Sequence, residues 1–347
     1  MRYIPVLQLK QGMTLGQDIY NGKGRLLLAK DLILNDEYIT NIERLGIPGI
    51  YIEDEFSKDI EIKTILRPAI KRDAVKLIRD LFVVEKDDFV TQKELQEIVI
   101  SVVQDVMNND DVMHNMIDLR NYDDYTYYHS VNVSVLSTVM GAGLMMSREE
   151  LNQLATSAIL HDVGKRFFDL EILNAKRKLT PEEMEIVKQH PKLGYDYLMK
   201  NYNFSSDVCL SVLQHHEFYN GQGYPYEKAG NEISIHARII KIADVYDALV
   251  SKRPYHYPVS PSEAVEYIMG RSGMEFDPKI VSAFLRKVAV YPVGCEVILS
   301  DGNQGVVVEN YSDNILRPIV KVLGSNSIID LNMDSTARNI TILNLVV

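Results

Sequence analysis

The sequence predicts a mainly α fold: an all-helical bundle with small β-rich modules at its two ends. Three observations predict it. Apolar residues recur at helical spacing from about residue 66 to 288. Short β-branched runs broken by Gly-containing turns occupy the stretches on either side. Pro181, Pro191, Pro261 and Pro278 stand near helix starts, where a missing N–H costs little. Three units are therefore expected: a β-rich module over 1–60, a helical domain over 61–290 and a β module over 291–347.

In the first unit, residues 6–9, 18–20, 26–28 and 49–52 read as strands. One helix interrupts them at 36–45: Asn35 suits an N-cap, and Ile39, Ile42 and Leu45 recur on one face. In the second unit, Ile70, Val75, Leu77 and Ile78 define one amphipathic helix. Leu95, Ile98, Val102, Val103 and Val106 define another. Helical patterns follow at 123–144, 148–161, 181–199, 206–216, 232–250, 261–269 and 278–288. The third unit has strand patterns at 296–299, 305–308, 319–322 and 340–343, and Ser300-Asp301-Gly302-Asn303 is a hairpin turn between the first two.

With 347 residues, 46% of them apolar, the chain can bury a large core. A formal net charge of −11 excludes bulk nucleic-acid binding, which needs a basic face. It leaves room for a phosphorylated small molecule, because bound metal ions reverse the local field. No apolar run approaches the roughly 18 residues that cross a bilayer, and no signal peptide is read at the N-terminus. Cys209 and Cys295 lie in unlike contexts and read as reduced thiols, which points to a bacterial-type cytoplasm.

The chemistry-bearing residues fall in the order His129, His161, Asp162, His190, His215, His216, Asp244. Successive groups are 32, 28, 25 and 28 residues apart, about one helical hairpin each. Such spacing puts one ligand group on each of several helices around a common cavity. Imidazoles and carboxylates without thiolate suit Fe, Mn, Zn or Ni and argue against a structural zinc site. The set exceeds what one ion needs, and a carboxylate such as Asp162 can bridge two.

A lone helical histidine is more often a hydrogen-bonded core or surface residue, and His114, His236 and His256 read that way. The joint pattern carries the metal reading. Lys165 is either a surface lysine or an ammonium that reaches the cavity past Gly164 and favours phosphate oxygens. Arg253 is either a helix C-terminal cation or a bidentate phosphate clamp. Tyr224 is either loop packing or a platform for a base.

His161-Asp162-Val163-Gly164-Lys165, His190-Pro191-x-x-Gly194, His215-His216-Glu217, Gly223-Tyr224-Pro225 and Ala243-Asp244-Val245-Tyr246-Asp247-Ala248-Leu249 followed by Arg253-Pro254-Tyr255 together resemble the HD-GYP family. These are HD superfamily phosphodiesterases that open the bacterial second messenger cyclic di-GMP to pGpG, and often on to GMP. The resemblance covers about residues 115–288, and the stretch 9–52 also resembles a small module that precedes this domain in some members. It implies an HD-type bundle with two divalent ions, Fe or Mn, held by His129, His161, Asp162, His190, His215, His216 and Asp244. It implies Asp162 and Lys165 as catalytic residues and Tyr224, Asp247 and Arg253 as substrate contacts. Attack by a hydroxide activated between the ions, with Asp162 bridging, is the implied chemistry. The implied partners are a cyclic dinucleotide and a homodimer or signalling protein.

Three departures stand out. Members with a third metal carry Glu where this chain has Tyr125, so two metals are expected. Phe218 and Asn220 replace charged residues of the usual His-His-Glu-Arg-x-Asp-Gly run, and His256 replaces a Lys or Arg. These swaps leave open a hybrid dinucleotide such as cyclic GMP-AMP, and the flanking β modules would suit a non-catalytic cyclic di-GMP sensor.

Overall fold

The computed structural model describes residues 1–20, 26–83, 90–109, 125–173, 175, 177–251, 258–325 and 327–346. The chain opens with β1 (Arg2–Pro5), β2 (Thr14–Leu15), β3 (Ile19–Tyr20), β4 (Leu26–Leu28), α1 (Asp36–Arg44) and β5 (Gly49–Glu53). Asn35 caps α1, its side chain accepting from the Tyr38 N–H at 2.8 Å. β1, β5 and β2 form an antiparallel sheet with β5 in the middle, and β3 pairs with β4.

The first strand lies earlier than the expected 6–9. Pro5 closes β1, and Val6–Gln8 form a 3-10 turn. The reason is burial on both faces of this small sheet. Tyr3 and Tyr51 face one core, while Ile4, Ile50 and Ile52 face another, against α1. A strand covered on both sides shows no apolar–polar alternation.

Helices follow: α2 (Pro68–Val83), α3 (Gln92–Met107), α4 (Tyr125–Gly143), α5 (Arg148–Leu160), α6 (Leu170–Leu173), α7 (Pro181–Val187), α8 (His190–Asn201), α9 (Ser206–Gln214), α10 (Ile235–Val250), α11 (Pro261–Gly270) and α12 (Pro278–Lys287). Thr91, Ser147, Thr180 and Ser260 start α3, α5, α7 and α11 with reciprocal capping boxes. α4 runs through the middle, in contact with α2, α3, α5, α10 and α12. Its Val131, Val135, Leu136, Val139 and Met140 are fully buried.

The stretch 181–199, expected as one helix, is two. Pro191 has no N–H to give the Val187 carbonyl, and its ring would collide with that carbonyl in a continuous helix. α7 therefore stops at Val187 and α8 begins at His190.

The C-terminal module is an antiparallel sheet in the order β10-β6-β7-β8-β9, made of β6 (Glu296–Leu299), β7 (Gln304–Glu309), β8 (Ile319–Val322), β9 (Ile328–Asp330) and β10 (Ile342–Val346). The expected turn joins β6 to β7, with Leu299 N–H donating to Asn303 O at 2.8 Å. β9, short and half exposed, gives no strand pattern in the sequence.

This sheet shares its core with the N-terminal module. Tyr3, Tyr51 and Ile62 pack among Cys295, Val297, Leu299, Val307, Val320 and Leu345. Tyr3 N–H donates to Gly294 O at 2.8 Å, and Arg2 pairs with both Asp54 and Glu296. The Lys321 ammonium donates to Phe56 O at 2.6 Å and Asp59 at 2.9 Å. Tyr291 and Ile315 lie against the helical core.

Candidate metal centre

The centre begins where α5 ends. His161 and Asp162 follow its last residue, and the chain then tightens into a 3-10 turn at Val163–Phe167. Gly164 is required by close approach: a Cβ there would lie 2.0 Å from His190 O and 2.6 Å from Gly194 N. The glycines of the two motifs thus meet and press the first turn of α8 against the turn after Asp162. His215 ends α9 and His216 follows it, His129 comes from the first half of α4, and Asp244 from α10.

The seven residues form two groups. Donor atoms of His129, His161 and Asp162 lie within 4.8 Å of one another, as do those of His190, His215 and His216. Asp244 joins the first group, its Oδ1 3.2 Å from His129 Nε2. Asp162 stands between the groups. Its Oδ2 is 3.4 Å from His161 Nε2 and 3.9 Å from His129 Nε2, while its Oδ1 is 3.2 Å from His190 Nε2. The Lys165 ammonium is 2.5 Å from Asp162 Oδ2.

Three imidazoles are oriented by backbone. Nδ1 of His161, His190 and His215 meets the carbonyl of Ala158, Val187 and Val212 respectively, each at 2.7 Å. A carbonyl only accepts, so Nδ1 carries the proton and the Nε2 lone pair faces the cavity. His129 is held by a carboxylate, its Nδ1 2.7 Å from Asp247 Oδ2. Among the described residues, His161 Nε2 and Asp162 Oδ1 are buried with no hydrogen-bond partner. Orphaned buried donors of this type, all nitrogen and oxygen, fit divalent cations.

The electrostatics agree. Burial, followed by the neighbouring imidazoles, pushes His215 well below its ordinary value, and burial with Asp162 opposing brings His190 down to about 4. Burial, then His215, does the same to His216. Burial alone would raise Asp162, but His161 and Lys165 hold it well below the usual carboxylate range. Burial works against charge on His129 too, yet Asp244 and Asp247 outweigh it and lift the imidazole to about 9. The second group is therefore neutral and ready to ligate, while the first already attracts a positive charge.

The loop after His216 is built on Glu217, whose buried carboxylate accepts the N–H groups of Tyr226 at 2.8 Å and Lys228 at 3.1 Å. A Cβ on Gly223 would fall 2.2 Å from Phe218 N, so only glycine fits there. The Tyr224 ring stacks on His216, centroids 4.7 Å apart and planes 20° apart.

Asp247, expected to touch substrate, is placed differently. It is buried, with one oxygen at His129 Nδ1 and the other accepting from Asn132 at 2.8 Å. Arg253, His114, His256 and the side chain of Tyr125 lie outside the described residues. His236, near Asp207 and Glu150, belongs to neither group. Sequence reasoning missed Asn132 and Lys241. Each lies three residues from a ligand, His129 and Asp244, and so shares its helical face. The Lys241 ammonium rests 4.7 Å from the centroid of the Phe218 ring.

Residues 111–280 match the HD domain family. A cyclic di-GMP phosphodiesterase of Pseudomonas aeruginosa is 35% identical over 229 residues, covering 66% of this chain and 55% of the relative. A cyclic di-GMP phosphodiesterase response regulator of Xanthomonas campestris is 39% identical over 155 residues, 44% of this chain and 41% of its own. A 3′3′-cGAMP-specific phosphodiesterase of Vibrio cholerae is 31% identical over 186 residues, 49% of this chain and 36% of its own. The chain spans about half the length of the curated relatives it matches. Among solved structures, a HDG"Y"P protein from Bdellovibrio bacteriovorus shares the fold. Its TM-score is 0.54 at 18% identity, covering 81% of this chain and 97% of that one.

Proposed function

The chain belongs to the HD-GYP family of HD domain proteins, and on that premise we propose that it is a metal-dependent phosphodiesterase that hydrolyses cyclic di-GMP to pGpG, with GMP as a further product. The observation that carries the reading is Asp162, with one oxygen toward each donor group and Oδ1 orphaned.

In the proposed assignment His129, His161, Asp162 and Asp244 hold one ion, and Asp162, His190, His215 and His216 the other. Iron or manganese suits this thiolate-free set. Divalent ions held there would supply a water acidic enough to act as nucleophile near neutral pH and positive charge beside the phosphate. Lys165, a quarter exposed beside Asp162, offers its ammonium to a phosphoryl oxygen. The backbone-bound imidazoles hold the donors in place before substrate arrives. Tyr224, stacked on His216, provides an aromatic wall for a guanine. Asp247 orients His129 instead of contacting substrate. Arg253 keeps its proposed phosphate contact.

The proposed setting is the cytoplasm, in keeping with two buried, unbridged cysteines. Among the described residues no helix is long and apolar enough to cross a membrane. Unit boundaries near 60 and 290, and a homodimeric or signalling partner, belong to the same proposal. Cyclic GMP-AMP is the second reading, favoured by Phe218 and Asn220 and by 31% identity to phosphodiesterases named for that substrate.

The test is metal analysis of protein purified without air, then turnover of both dinucleotides by wild type and Asp162→Ala. Wild type should carry two ions per chain, and the variant should lose metal and hydrolysis together. An Asp162→Ala protein that keeps both would refute the assignment. Tight cyclic di-GMP binding without turnover by the metal-loaded wild type would establish a sensor instead.

A further inference from the structure

Lys241 is a buried lysine that the chemistry above leaves without a task. It is 7% exposed, on α10 three residues before Asp244, so both side chains leave the same face of the helix. Its Nζ lies 4.7 Å from the centroid of Phe218, in the loop that follows His215 and His216. Among the described residues it makes no hydrogen bond and no close ion pair. Burial pulls its ammonium below the ordinary lysine value, and the carboxylates that oppose this are Asp244 on its own helix and Glu275 on the segment between α11 and α12. Holding an ammonium on a largely buried side chain with a ring face as its near contact is costly, and such groups persist where a charge has work to do.

The loop supplies the reason. Phe218 stands where HD-GYP proteins often place an arginine, so the position next to Glu217 brings no cation to the centre. Lys241 brings one from beneath, and the Phe218 ring limits where it can point. Lys165 already serves the Asp162 side. A cyclic dinucleotide has two phosphodiesters: one is cleaved at the metals, and the other remains ionised and needs a partner.

We propose that Lys241 is a substrate-binding residue whose ammonium takes the uncleaved phosphate of the cyclic dinucleotide, with Phe218 as its steric guide. This rests on the phosphodiesterase reading of the same centre.

The test uses the full chain loaded with Mn(II) without air, comparing wild type, Lys241→Met and Lys241→Arg. Cyclic di-GMP is compared with bis(4-nitrophenyl) phosphate, which has a single phosphate. Lys241→Met should raise KM for cyclic di-GMP roughly ten- to hundredfold, the worth of one hydrogen bond to a charged group. Its kcat should fall far less, and metal content should stay. The ratio of kcat/KM for cyclic di-GMP to that for the single-phosphate substrate should fall by at least about tenfold. Lys241→Arg should recover most of the loss. An unmoved ratio in Lys241→Met, with wild type active, would overturn this assignment alone. A wild type that neither binds nor cleaves a cyclic dinucleotide would bring down the phosphodiesterase reading, and this assignment with it.

Discussion

Gly164→Ala tests what sets the distance between the two donor groups. The added methyl would sit 2.0 Å from His190 O and 2.6 Å from Gly194 N. Comfortable carbon contacts lie near 3.5 Å, so the turn after Asp162 and the first turn of α8 must part by more than about 1 Å. Both obstacles are backbone atoms, so no rotamer change absorbs the methyl. Overpacking of this kind costs about 1–3 kcal/mol, and two backbone clashes put this case at the upper end. For a chain of 347 residues, that corresponds to a fall in Tm of roughly 4 °C. The functional loss should be larger, because the parted elements carry Asp162 and His190, whose Oδ1 and Nε2 are 3.2 Å apart. A displacement of about 1 Å at such a pair costs on the order of a hundredfold in rate. Calorimetry, metal stoichiometry and kcat on the same preparation read all three quantities. Gly194→Ala is the milder comparison, since its Cβ would meet Gly164 N and Val212 Cγ1 at 3.2 Å. Full metal content and near wild-type kcat in Gly164→Ala would refute the argument that the glycine pair fixes the spacing.

Two further outcomes follow from the electrostatics and the loop. In metal-free protein, the carboxylates raise His129 from 6.5 to about 9, so its protonation stabilises the fold fully below pH 6.5. That contribution should vanish as pH rises to about 9, and Tm of the metal-free chain should fall more steeply there than that of His129→Gln. Equal slopes would show that His129 is not protonated between its carboxylates. Glu217→Ala should free the N–H groups of Tyr226 and Lys228 and cost about 1–3 kcal/mol. Hydrogen exchange over 223–228 should accelerate while the metal count stays at two; unchanged exchange would mean the loop is held by other contacts.

The helical domain was legible because its signals are local: capping residues, prolines at helix starts and apolar faces at a 3.6-residue period. The single long helix expected over 181–199 failed at Pro191, read as a helix start inside a continuous pattern instead of as a break after Val187. β1 was misplaced because both faces of its sheet are covered, the second by a module nearly 300 residues downstream, as the contact of Tyr3 with Gly294 shows. Among site residues, ligand-type side chains were recognisable by type and spacing. Asp247 was legible only as a substrate contact and not as the partner of His129, and Asn132 and Lys241 were not legible at all, because carboxylate, amide and ammonium groups are common on helices and only their neighbours in space give them roles.

The three backbone-anchored imidazoles share a further property. Ala158, Val187 and Val212 lie in the last turns of α5, α7 and α9, where carbonyls lose their regular partner four residues on. Each helix end therefore binds a histidine three residues on, fixes its tautomer, and turns the negative end of its dipole toward the centre. No distant residue is needed to orient them. His129 lies inside α4, where the carbonyls of the preceding turn are already used by the helix. It needs Asp247 from α10, a partner 118 residues away. Asp247→Asn should thus act on one group only. The amide can leave His129 in the wrong tautomer, and a lost outer partner of this kind weakens metal binding about 10- to 100-fold. Metal titration of Asp247→Asn should show one weakened site and one unchanged, with His190, His215 and His216 still saturated. Equal weakening of both sites would mean that Asp162 couples the groups more strongly than these separate anchors allow.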